Sequence, residues 1–189
     1  MVALGGIDTR ILFTALIVLV ALQRLAELAV SKRNTARLLA RGAREAGASH
    51  YPSMVALHTA FLIAAPLEVW LLSRPFVPAL AALALALSLA AGVLRTWVIR
   101  TLAGRWTTRV IVLPGAEPVT SGPYRFLRHP NYLAVVTEIA ALPLIHTAWL
   151  TALLASLGNA LILRERIHVE EAALSETSNY REAFRARER

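Results

Sequence analysis

Two short stretches hold most of the residue types that could do chemistry. In SGPYRFLRHPNYLAVV, Ser121–Val136, two arginines, a histidine, two prolines and two tyrosines run straight into an apolar segment. In RERIHVEEAAL, Arg164–Leu174, Arg166 and Glu170 are four residues apart and share one helix face, with Glu171 beside them. Proline favours the first helical position and pushes the residue before it into an extended conformation. His129 is therefore expected at the lip of a helix that Pro130 opens, where free backbone N–H groups can receive acceptor groups of a ligand. An arginine can hold two oxygens in a fixed fork, which suits Arg166 to a carboxylate or a similar acid. Taken singly, the first stretch also fits a helix start whose arginines meet lipid headgroups. The second also fits an ordinary salt-bridged helix at a membrane surface.

Other chemistries are excluded by what is missing. The chain has no cysteine, which removes disulfides, thiolate metal sites, cysteine nucleophiles and S-acylation anchors. No metal-type spacing such as His-Glu-x-x-His occurs, so no metal site is expected.

The elements that must position these residues are membrane helices. The 189 residues suit one domain, 1–189, and 57% hydrophobic against 17% charged residues puts the chain in the integral-membrane class. Apolar runs predict helices at about 11–30, 54–72, 77–99, 131–147 and 148–165, followed by a cytoplasmic helix over 166–187. In lipid every backbone group must be satisfied within the segment, which makes each span helical. The last two are short and so close in sequence that they form a tight hairpin. The expected fold is thus an all-α integral membrane protein of five membrane helices with a cytoplasmic cofactor pocket. The run from Ile11 carries Arg24 and Glu27 and is too long for a signal peptide, so it reads as an uncleaved first span.

Positive charge sets the orientation. The net charge is +8, almost all of it arginine, since Lys32 is the only lysine. Lys32–Arg44, Thr101–Arg128 and the tail are rich in arginine, whereas the opposite connections offer only Arg74 and the stretch around His146. The positive-inside rule then puts the N-terminus outside and the polar loops in the cytoplasm of a cell inner membrane. Because the arginines sit between apolar runs, lipid rather than nucleic acid is the expected partner. The connection Thr101–Pro130 is broken by Pro114-Gly115 and Ser121-Gly122-Pro123 and reads as an ordered loop with a turn of helix, although Val110–Leu113 could pass for a short strand.

The hairpin is what joins the two stretches. It brings Arg128, His129, Tyr132, Arg166 and Glu170 into one interfacial pocket, open to the cytosol and next to lipid. Elsewhere, Arg24 and Glu27 are spaced to pair, and Glu68 and Glu138 also lie inside apolar runs. Each is either a functional group or part of an ion pair that fixes packing. His58 and Trp97 read as packing and interface residues.

Together the stretches resemble the isoprenylcysteine carboxyl methyltransferase family, membrane enzymes that use S-adenosylmethionine. SGPYRFLRHPNYL and RERIHVEEAAL carry the resemblance, at the family's separation, over Val119–Leu174. SKRNTARLLARGAREAGASHYP and RWTTRVIVLPG look like the family's short bacterial branch, some members of which accompany type III polyketide synthases and methylate alkylpyrones. The resemblance implies cofactor contacts at Ala116, Glu117, Pro118 and Val119, at Tyr124, at His129, Pro130, Asn131 and Tyr132, and at Glu170. It implies that Arg166 faces the methyl acceptor. Two features depart from the family: Ala134 replaces a usual glycine, and the tail after Tyr180 lacks an apolar ending.

The expected activity is therefore S-adenosylmethionine-dependent O-methylation of a lipophilic small-molecule or prenylated acceptor, at a carboxylate or an acidic hydroxyl. A soluble cofactor and a lipid-dissolved acceptor meet only at the membrane interface. The rival is a non-catalytic small transporter or assembly factor using Arg24, Glu27, Glu68 and Glu138 as a polar path. Transporters of that kind tend to show paired repeats and broken helices, which this sequence lacks.

Overall fold

The computed structural model describes residues 3–4 and 7–177. Among them are five α-helices: α1 (Thr9–Leu39), α2 (Tyr51–Leu71), α3 (Pro78–Leu102), α4 (Pro130–Leu144) and α5 (Trp149–Thr177). Two small antiparallel ladders accompany them, β1 (Ala3–Leu4) with β2 (Ile7–Asp8), and β3 (Arg44–Ala46) with β4 (Val110–Val112). The segments Thr9–Leu39, Ala48–Leu71 and Pro78–Arg105 are long and apolar enough to cross a membrane. α4 has 15 residues and is about 22 Å long at 1.5 Å per residue. α5 joins an apolar first half to a charged second half.

The boundaries follow local chemistry. α1 begins where the Asp8 side chain accepts from Arg10 N, and it runs well beyond Val30. No glycine or proline interrupts the chain until Gly42, so the helix continues out of its apolar part through Lys32–Leu39. Gly42, at φ +88°, then turns the chain back. α5 likewise passes unbroken through Arg164–Leu174, so the fifth helix and the tail helix are one element rather than two. The expected continuation over 178–187 lies outside the described residues.

Small residues let the helices approach. α3 and α4 share the most extensive contact, and Ala81, Ala84, Ala91, Ala134 and Ala141 are buried there or near it. The apolar core runs through Phe13, Ile17, Phe61, Val69, Ile139 and Leu142. Outward leucines, among them Leu19, Leu25, Leu89 and Leu161, remain exposed, as side chains facing lipid would be.

Four charged residues lie within this bundle and pair with one another. Glu138 of α4 accepts from Arg24 at 2.7 Å and from Arg95 at 2.6 Å. Arg24 also holds Glu27, which accepts from Gln23 as well. All four carboxylate oxygens are occupied, and the cluster is neutral as a set. Arg95, toward the end of the third apolar run, completes it and ties α1, α3 and α4 together. Glu68 has a different task. It accepts from Leu150 N, Thr151 N and Thr151 Oγ1, capping the start of α5, and it pairs with Arg74 at 2.7 Å. The α4–α5 hairpin is thereby pinned to α2.

Candidate active site

The connection between α3 and α4 is held in place residue by residue. Asn34 Nδ2 donates to the carbonyls of Ala103 and Trp106. Ser31 Oγ accepts from Thr108 N, and Arg109 pairs with Glu45 while lying over the Tyr51 ring. β4, which the sequence marks only as a possible strand, pairs with β3 and so fastens the loop to the end of α1. The far end of the loop turns at Gly122, where φ is +57° and any Cβ would strike Thr101 and crowd Trp97. Only glycine fits that turn. The chain then enters α4 with Pro130 at the first helical position, as expected, while His129 before it is non-helical at φ −128° and ψ 61°, short of the extended conformation expected of it.

Here α4 and α5 place their polar side chains together. Arg166 Nε donates to the Tyr132 hydroxyl at 3.0 Å, and that hydroxyl donates to Glu170. Arg166 Nη2 donates to the Thr108 carbonyl at 2.7 Å, and Nη1 approaches Met54 Sδ at 3.4 Å. His129 stacks on Tyr132, with ring centroids 5.3 Å apart, and its Nε2 lies 2.8 Å from Glu171. Among the described residues no carboxylate forms an ion pair with Arg166.

These groups face two cavities. The first, a polar cleft, holds about 150 Å³ and is lined by Ala116, Pro118, Val119, Tyr124, His129, Asn131, Tyr132, Arg166 and Glu170, together with β4. Of the other expected residues, Glu117 is held by its carbonyl to Arg105, and Pro130 is buried at the opening of α4. Neither lines the cleft. The second cavity, about 410 Å³, lies among α1, α2, α4 and α5 with mostly apolar walls. Trp106, Thr107, Asn131, Tyr132 and Arg166 line both, forming a partition between them. Two buried atoms at this partition, Trp106 Nε1 and Asn131 Oδ1, have no hydrogen-bond partner.

Sequence reasoning passed over Trp106 and Arg95. Arg95 left a signal, a charge in an apolar run, where such residues deserve attention by default. Trp106 left none, because its place is set by the Asn34 contacts.

The family model for isoprenylcysteine carboxyl methyltransferases matches residues 83–176, which spans most of α3, the loop, α4 and nearly all of α5. The uncharacterized protein YpbQ of Bacillus subtilis is 38% identical over 168 residues, covering 88% of this chain and 99% of that protein. An uncharacterized protein of Haemophilus influenzae is 32% identical over 153 residues, covering 80% of this chain and 88% of its own. With three helices able to cross a membrane, and the methyltransferase model matched over the helices that build the partition, this chain is a membrane protein of the isoprenylcysteine carboxyl methyltransferase family.

Proposed function

We propose that the protein is an S-adenosylmethionine-dependent O-methyltransferase acting at the membrane interface on a lipophilic carboxylate or acidic hydroxyl. The observation that carries this reading is Arg166, a guanidinium with no carboxylate partner among the described residues, set between a polar cleft and an apolar chamber. An anionic head entering from the chamber would meet that charge while its tail stays among apolar walls.

The cleft suits the cofactor chemically. S-adenosylmethionine presents hydroxyl and amino donors and a positive sulfonium, and the cleft offers the Glu170 carboxylate, the unpaired Asn131 Oδ1 and the rings of Tyr124 and Tyr132. When bound, the cofactor supplies an electrophilic methyl group. The chain's own residues supply alignment. Arg166 is braced by Tyr132 and the Thr108 carbonyl, so its fork is fixed before the acceptor arrives. A carboxylic acid, with a reference pKa of about 4, is ionised near neutral pH and needs no general base. A cation beside it lowers that pKa further, and the same holds for an acidic enol. Holding two reactants in line can contribute roughly 7–11 kcal/mol.

The transporter reading loses its main support. Arg24, Glu27 and Glu138 close on one another and on Arg95, and Glu68 caps a helix, so no open polar path joins them.

In this reading α4 and α5 also enter the bilayer, the N-terminus is outside the inner membrane, and both cavities open toward the cytoplasmic side. The chain lacks cysteine, so single cysteines at Thr35 and Arg74 can be labelled from one side. They should report opposite faces; the same face for both would overturn the topology. For the cofactor, titration with S-adenosylmethionine in detergent should give saturable binding, weakened in both His129→Ala and Glu170→Ala. Undiminished affinity in both variants would remove the basis for the site.

A further inference from the structure

The apolar chamber has a polar place that methyl transfer at the partition does not use. Asn159 of α5 is only 5% exposed, and its amide makes no hydrogen bond among the described residues. It lies seven residues before Arg166, which puts both on one face of α5, about 10 Å apart along the axis. Both line the chamber. On α2, Met54 lies against Arg166, and His58 is one turn deeper. His58 Nδ1 is 2.9 Å from the Met54 carbonyl, which can only accept, so Nδ1 carries the proton. In the neutral ring Nε2 is an acceptor, and it has no partner among the described residues. His58 also lines the chamber.

The two groups sit at the same contact between helices. A Cβ on Gly158 would come within 3.0 Å of Leu57 Cδ1, so α2 and α5 approach closely where Asn159 and His58 flank the contact. Asparagine is a poor helix former, and this one turns its unpartnered amide toward the chamber it lines rather than toward the outer surface. The charged groups of the facing wall do not partner it, because the carboxylate oxygens of Glu27 and Glu138 are all occupied.

We propose that His58 and Asn159 form a second recognition site inside the chamber, for a hydroxyl or carbonyl carried partway along the acceptor's chain. The acceptor is then a bifunctional amphiphile, with an acidic head at Arg166 and a hydrogen-bonding group about two helical turns deeper. This rests on the methyltransferase reading. It narrows the substrate class within it.

The test compares two probes, stearate and 10-hydroxystearate, titrated into the full chain in uncharged maltoside micelles with S-adenosylmethionine titrated separately. The hydroxylated acid should bind about five- to tenfold more tightly. Asn159→Leu and His58→Leu should each reduce that preference while leaving stearate and cofactor affinity unchanged. Equal affinity of the two acids for the unaltered chain would overturn the second site, as would a preference that survives both substitutions. Cofactor binding without binding of either acid would also overturn it and leave the methyltransferase reading in place. Absence of cofactor binding would remove that reading and this one together.

Discussion

Two polar clusters lie among the helices of this protein, and they are built on opposite principles. In the bundle, Arg24, Glu27, Arg95 and Glu138 form two arginines against two carboxylates, every carboxylate oxygen occupied. At the partition, Arg166 is held by a phenol, a carbonyl and a sulfur, and among the described residues it has no carboxylate in ion-pair range and two unpaired buried atoms beside it. The neutral cluster lines the chamber and keeps one unpaired atom, Arg95 Nε, but its charges are matched and its ion pairs join α1, α3 and α4. An open one, carrying spare charge and spare hydrogen-bonding capacity, is costly unless something completes it. On the proposed function, the contrast separates structural arginines from the one that meets the acceptor.

The sharpest way to break that contrast is Glu138→Ala. It leaves Arg24 and Arg95 facing each other without their shared carboxylate, and removal of one partner from a buried ion cluster costs about 3–5 kcal/mol. Thermal unfolding in detergent should show a large loss, or the variant should fail to extract as a folded protein. Arg166→Ala should unfold close to the unaltered chain. If Glu138→Ala melts normally, the bundle cluster is not what holds α1, α3 and α4 together.

Much of this arrangement could be read from residues alone, for a physical reason. Bilayer thickness imposes long apolar runs, so the existence of the five helices is visible, and Pro130 marks where α4 must begin. The convergence of His129 and Tyr132 with Arg166 and Glu170 follows from the hairpin, since two helices joined by so short a turn must lie side by side. What escaped is non-local. The pairing of Arg44–Ala46 with Val110–Val112 spans more than sixty residues and leaves little pattern in three-residue strands. Helix ends were misjudged where charge begins, because α1 beyond Val30 and α5 beyond Arg164 stay helical through their charged residues. Nor does an apolar run reveal that Asn159 faces a cavity; that requires knowing which face of α5 meets α2.

Arg166→Lys sharpens the comparison at the open cluster. Lysine keeps the charge but loses the planar fork that contacts Tyr132 and Thr108 at once. Turnover should fall at least about tenfold, equivalent to about 1.4 kcal/mol of transition-state stabilisation, with cofactor affinity and melting temperature unchanged. Undiminished methyl transfer in the lysine variant would return Arg166 to the structural group alongside Arg24 and Arg95.

The smallest expected effect distinguishes two neighbours on α5. Glu170 accepts from the Tyr132 hydroxyl and lines the cleft, whereas Glu171 meets His129 at the edge, with its side chain 39% exposed. Successive helical residues point about 100° apart, so they cannot exchange places without rotating α5. Glu170→Ala removes a charged acceptor from the cleft and frees the Tyr132 hydroxyl, which should weaken S-adenosylmethionine binding by about tenfold. Glu171→Ala removes an exposed pair of the kind that contributes about 0–1 kcal/mol, so cofactor affinity should change by less than about fivefold. Titrating both variants side by side decides the matter. If Glu171→Ala proves the more damaging, His129 is held for the cofactor by Glu171, and the open cluster extends one residue further around the helix than the cleft geometry assigns.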